Sequence, residues 1–137
     1  MKKGDFIFVY GTLRRGERAD LGKKASNFGV VPVGLDEING RMYHMGAFPA
    51  VKAESGEFDS SKPVVTGEVF LVTDTSIMAV LDAYEGYPNL YTRLKTSTRG
   101  GRLVWVYVFP HPTTEDQLII GGDWCRNRSL PNNQRMI

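Results

Sequence analysis

The stretch Thr75-Ser-Ile-Met-Ala-Val-Leu-Asp-Ala-Tyr-Glu85, followed by Gly86, decides the fold class, because it alone in the chain carries a clear helical period. Asp74 or Thr75 is suited to cap its start, and Gly86 is suited to the left-handed position just past its end. Outward from it, in both directions, the chain reads as strands. Phe6-Ile-Phe-Val-Tyr10 is aromatic and branched and stops at Gly11, as a buried strand does. Further strand-like segments are Val30 to Val33, Arg41 to His44, Val64 to Val72, Arg93 to Thr98 and Leu103 to Phe109. Gly100-Gly101 has the composition of a tight hairpin turn between the last two. A short helix is also expected over Glu17 to Asn27. Many short strands with one or two helices specify an α+β domain, a small mixed β-barrel with flanking short helices.

The bulk properties bound the rest. At 137 residues, with 42% hydrophobic and 23% charged, the chain is one ordinary globular domain. Residues 1–124 are read as that domain and 125–137 as a polar C-terminal tail, with Trp124 as an anchor. The net charge of +2 is small and the basic residues are scattered, which argues against a nucleic-acid partner. The tightest basic group, Arg14, Arg15 and Arg18, contains Glu17 and reads first as a solvated face. The single cysteine, Cys125, excludes an internal disulfide and fits a reducing compartment. Near the N-terminus the continuous apolar run is only Phe6 to Val9, too short for a secretory or membrane-spanning segment. A cytoplasmic protein with no membrane partner is therefore expected. Nothing in the sequence specifies an oligomeric state.

Two places hold candidate chemistry. Counting ~100° per residue from Ile77, Val80 falls at ~300°, Tyr84 at ~340°, Leu81 at ~40° and Met78 at ~100°. These define one apolar stripe, and Glu85, at ~80°, falls inside it, with Asp82 at its margin. Burying an unpaired carboxylate is costly, so such a residue has two outcomes. Either the last turn frays and Glu85 meets water or an arginine such as Arg93, or Glu85 lines a pocket where desolvation raises its pKa and suits it to move protons. Helical phase leaves both open. The second place is Gly11-Thr-Leu-Arg-Arg-Gly16, after the first strand. Glycine there permits a sharp turn and close approach of a ligand, and free backbone N–H groups beyond it suit an anion. Taken alone, the loop reads first as an ordinary strand-to-helix turn. A P-loop is excluded, since Glu17-Arg18 stands where Lys and Ser or Thr are required. His44, His111 and Cys125 lie far apart in sequence and lack zinc-ligand or Cys/His nucleophile spacing.

Taken together these segments resemble the gamma-glutamylcyclotransferase-like family, which includes the AIG2-like proteins and the gamma-glutamylamine cyclotransferases. The likeness is carried by Phe8-Val-Tyr-Gly-Thr-Leu-Arg-Arg-Gly16, Gly40-Arg-Met-Tyr-His-Met-Gly-Ala-Phe-Pro-Ala50, Gly67-Glu-Val-Phe70, and Leu81-Asp-Ala-Tyr-Glu-Gly-Tyr-Pro88 continuing to Tyr91-Thr-Arg93. Trp105-Val-Tyr107 and Gly122-Asp-Trp124 are weaker echoes, and the whole spans residues 6 to 124. The resemblance implies a small barrel with flanking helices. It implies that Glu85 is the catalytic acid/base and that Tyr10, Gly11, Thr12 and Leu13 hold the glutamyl part of a small-molecule gamma-glutamyl substrate. It implies release of 5-oxoproline and a free amine, with no cofactor and no metal. It assigns no role to Arg14 or Arg15. A member that keeps the pocket but only binds a small carboxylate is the alternative.

Overall fold

The computed structural model describes residues 2–11, 29–46 and 48–124. The expected helix at 17–27 and the polar tail lie outside the described residues.

Among the described residues lie seven strands and the helix α1: β1 (Phe6–Val9), β2 (Val30–Asn39), β3 (Arg41–His44), β4 (Pro49–Lys52), β5 (Val64–Val72), α1 (Ile77–Glu85), β6 (Thr92–Ser97) and β7 (Leu103–Val108). A short 3-10 turn, Glu115–Gln117, follows. The main sheet has five strands in the order β2-β5-β1-β7-β6, and β3 and β4 form a separate two-stranded sheet. β1 runs parallel to β7 and antiparallel to β5, so the shortest buried strand lies at the centre. The β6–β7 hairpin turns at residues 98–101, as the glycine pair demands, with Gly101 at φ +83°.

The fold is α+β, and its sheet curls without closing into a continuous ladder. At the β6–β7 turn, the Arg99 backbone N–H donates to the Glu37 carbonyl on β2 at 2.9 Å. The Arg99 guanidinium meets the Glu37 carboxylate at 2.5 Å. At the other end of β7, the Phe109 N–H donates to the Val51 carbonyl of β4 at 2.9 Å, and the Ile119 N–H to the Met42 carbonyl of β3 at 2.8 Å. The hairpin β3–β4 thus completes the wall that the main sheet leaves open.

Strand alternation divides the core in two. Ile7, Val9, Phe70 and Val72 pack with Ile77 and Leu81 of α1 and with Tyr91 and Tyr107. Phe8, Val69, Val104 and Val106 pack with Ile38, Met42, Val51 and the buried Trp124. Gly67 lets β1 and β5 approach closely, since a Cβ there would stand 2.4 Å from the Val9 carbonyl oxygen and 2.5 Å from the Phe8 ring.

The helix differs from the reading of its apolar stripe. Ile77 and Leu81 are buried as expected, but Val80 and Tyr84 are each 45% exposed. Met78 and Glu85, which the stripe also contains, are half-buried, and so is Asp82 from its margin. The buried face therefore centres near the direction of Glu85, rotated by roughly 60° from the hydrophobic stripe. The physical reason is a polar anchor. The Tyr107 hydroxyl on β7 donates to the Asp82 carboxylate at 2.5 Å, and Arg93 on β6 approaches the same oxygen at 3.5 Å. These partners hold the polar edge of α1 against the sheet, a preference that hydrophobic periodicity cannot register.

Candidate active site

β1 delivers the first wall of the site. After Val9 the chain runs into Tyr10, which is buried, and Gly11. The Tyr10 hydroxyl donates to the backbone carbonyl of Tyr107 at 2.6 Å, which ties the exit of β1 across to β7. Gly11 sits against β4: a Cβ at this position would stand 2.9 Å from Cγ and 3.2 Å from Cδ of Pro49. Its φ is not in the left-handed region, so close approach of Pro49, and not backbone sign, is what selects glycine. Pro49 is held in turn by its carbonyl, which accepts the Tyr91 hydroxyl at 2.6 Å. Gly11→Ala is therefore expected to lower unfolding free energy by about 1–3 kcal/mol through overpacking, measurable by denaturant titration.

α1 delivers the second wall. Its N-cap position is Ser76 and not the expected Asp74 or Thr75; Asp74 stands just before it, its carboxylate accepting the Ser76 backbone N–H at 2.9 Å. Gly86 ends it in the left-handed conformation at φ 64°, and the Tyr87 N–H closes back on the Asp82 carbonyl at 2.9 Å. Glu85 is thus the last residue of the helix, held by a sharp stop and not frayed.

Between these walls lies a cavity of about 240 Å³, lined by Tyr10, Gly11, Pro49, Tyr84, Glu85 and Tyr107 among others. The fraying alternative for Glu85 does not occur, and Arg93 faces Asp82 instead. Among the described residues no cation lies within ion-pairing distance of the Glu85 carboxylate. Burial alone then pushes its pKa from 4.5 up to about 7. The phenols around it are held neutral. Tyr10, Tyr91 and Tyr107 all have their pKa values raised by burial, and the negative charge of Glu85 adds to each shift. For Tyr107 the hydrogen bond to Asp82 contributes more than Glu85 does.

Of the residues singled out in the sequence, Tyr10, Gly11 and Glu85 line one cavity. Thr12 and Leu13, with Arg14 and Arg15, lie outside the described residues. Tyr91, Tyr107 and Pro49 belong to the site as well. The sequence signals for them were faint: Tyr91 and Tyr107 resemble any inward aromatic of a strand region, and Pro49 opens a strand whose pairing only the fold reveals. A carboxyl that is half-ionised near pH 7, in an apolar and aromatic pocket, can both take up and give back a proton without help from another titrating side chain.

Known proteins place this geometry in context. Residues 7–126 match the family described as gamma-glutamyl cyclotransferase, AIG2-like. A protein of Vibrio cholerae serotype O1 named "Putative gamma-glutamylcyclotransferase" is 33% identical over 122 residues, covering 88% of this chain and 95% of its own. An AIG2-like protein from Mus musculus has a similar fold, with a TM-score of 0.72 at 21% identity over 98% of this chain and 95% of its own. The protein ytfP from Escherichia coli matches with a TM-score of 0.62 at 27% identity, over 90% of this chain and 99% of its own. No helix among the described residues is long and apolar enough to cross a membrane.

Proposed function

We propose that this chain, which belongs to the gamma-glutamyl cyclotransferase, AIG2-like family, converts a gamma-glutamyl amine to 5-oxoproline and a free amine, with Glu85 as the proton-transfer group. The observation that carries the proposal is the Glu85 carboxyl, without an ion-pair partner among the described residues, raised to about pKa 7 by burial and lining the same cavity as Tyr10 and Gly11.

A gamma-glutamyl amide brings its own nucleophile. Its α-amino nitrogen closes a five-membered ring on the γ-carbonyl carbon, and the bond from that carbon to the amide nitrogen breaks. Holding the chain folded lowers the orientational part of the barrier with no covalent enzyme intermediate. The α-amine is protonated near neutral pH and must lose a proton before it attacks; the departing nitrogen must gain one. Ionised Glu85 takes the first proton and returns it to the leaving nitrogen; the proton that the ring nitrogen still sheds on becoming an amide goes to the same nitrogen, so the amine leaves as an ammonium and the carboxyl ends as it began. Such transfer contributes about 10²–10⁴-fold. We assign Tyr10, Gly11, Thr12 and Leu13 to the glutamyl part of the substrate. Because the substrate supplies the nucleophile and one carboxyl moves the proton, the reaction asks for no metal or organic cofactor.

The test is a panel of gamma-glutamyl amines assayed for 5-oxoproline. Release of 5-oxoproline in equal amount with free amine from at least one member is the expected outcome. Binding of gamma-glutamyl compounds with no release from any would instead support a carboxylate-binding module.

A further inference from the structure

Arg93 on β6 pairs with Asp82, one helical turn before Glu85, and not with Glu85. Its guanidinium is held on three sides. It lies 3.5 Å from the Asp82 carboxylate, 4.4 Å from the Tyr87 ring centroid and 5.5 Å from the Trp105 ring centroid. Asp82 precedes Glu85 by three residues and Tyr87 follows it by two, so Arg93 touches the chain on both sides of Glu85. Residues three apart on a helix have Cβ atoms about 5–6 Å apart, which puts the Glu85 carboxylate within the sweep of a side chain that reaches Asp82. The contact is an ion pair without a hydrogen bond, since the buried Nε that faces Asp82 has no hydrogen-bond partner. Asp82 is itself fixed, because the Tyr107 hydroxyl donates to the oxygen that faces Arg93.

We propose that Asp82 is a positioning residue: it captures Arg93 and so keeps Glu85 without an ion-pair partner. This rests on the reading of Glu85 as the proton-transfer group, and it adds the reason that an arginine so near leaves that group free. An arginine paired with Glu85 stabilises the carboxylate and takes away its ability to hold a proton near neutral pH. The other groups around Glu85 do not substitute for Asp82 in this task. Tyr10 from the end of β1, Tyr91 from the segment before β6, Tyr107 from β7 and Tyr84 on α1 are phenols, not carboxylates, and Tyr107, which feels the charge of Arg93, gives its hydroxyl to Asp82.

The test is the titration of the Glu85 carboxyl, followed by carbon NMR in the intact, ligand-free protein, for the wild type, Asp82→Asn, Arg93→Met and the double variant. Asparagine keeps an acceptor for the Tyr107 hydroxyl but releases Arg93. In Asp82→Asn the midpoint should fall by about one unit or more, a tenfold loss of proton affinity. Removing Arg93 as well should return the midpoint to near the wild-type value, and Arg93→Met alone should leave it nearly unchanged. A double variant that stays low would assign the shift to loss of the Asp82 charge and overturn the proposal. So would an unshifted Asp82→Asn protein. A midpoint that rises markedly in Arg93→Met, which can be read even if Asp82→Asn does not fold, would show that Arg93 already acts on Glu85 and would overturn it too. The titration needs no turnover, so a wild type that releases no 5-oxoproline would refute the proposed reaction and leave this question to be decided separately.

Discussion

Replacing Glu85 with Gln is expected to reduce 5-oxoproline formation by at least about 10²–10⁴-fold while gamma-glutamyl ligands still bind. Glutamine matches the carboxyl in shape but cannot take a proton from the α-amine. The walls that hold the substrate, from Tyr10 and Gly11 to Tyr107, are untouched by the change. The same variant has a second expected signature, in stability. In the folded protein Glu85 has its pKa raised from 4.5 to about 7, so the folded state holds a proton that the unfolded chain has already lost. Between these values wild-type stability falls as pH rises, and above about 7 the full penalty is present. The neutral glutamine carries no such penalty. Glu85→Gln should therefore be more stable than wild type above pH 7, by at most about 3 kcal/mol, and the advantage should vanish towards pH 4. Denaturant titrations at the two ends of that range measure it. A gain in stability together with loss of turnover marks a residue whose strain is functional. A variant that keeps wild-type turnover would remove Glu85 from the mechanism.

The second large effect concerns the helix that carries this residue. Leu81 is 1% exposed and packs one turn before Glu85, whereas its neighbour Val80 is 45% exposed. Leu81→Ala should cost about 2–5 kcal/mol, since it removes buried methyl groups and leaves a cavity between α1 and the sheet. For a chain of this size that lowers the unfolding temperature by roughly 10 °C. Val80→Ala should stay within about 0.5 kcal/mol of wild type. The contrast tests the rotation of α1 directly, because the hydrophobic stripe of the sequence puts both residues inside. Equal large losses would restore that stripe and turn Glu85 away from the centre of the buried face.

Much of the frame is legible in the sequence, because strands and turns here follow local rules. The bounds of β3 and β5 coincide with their branched and aromatic runs, and Gly86 stops α1 where a left-handed residue is needed. Other features depend on partners distant in sequence. β2 continues past Val33, where the sequence reading ends it, to Asn39, because it pairs with β5 beyond a register shift at Pro32/Gly34. β4 is missing from the sequence reading, since Pro49 opens it and its pairing with β3 becomes visible only in the fold. The family likeness assigns Tyr10 to substrate. Its hydroxyl is donated to the Tyr107 carbonyl, so its contribution to the cavity is the ring and the fixed exit of β1. The placement of Glu85 in the apolar stripe pointed to the site, but its freedom from Arg93 did not show in periodicity. That freedom comes from Asp82 and Tyr107, one three residues earlier on α1 and the other on a strand more than twenty residues later.

The most direct measurement of the central claim combines the titration of the Glu85 carboxyl in the folded, ligand-free protein with the pH dependence of kcat/KM on one turned-over gamma-glutamyl amine. The expected result is a carboxyl midpoint at about 7 and an acid limb of kcat/KM at the same pH, with the rate rising as Glu85 ionises. A Glu85 that titrates near the ordinary value of 4.5, or an acid limb that does not move when the Glu85 midpoint is moved, would contradict the account.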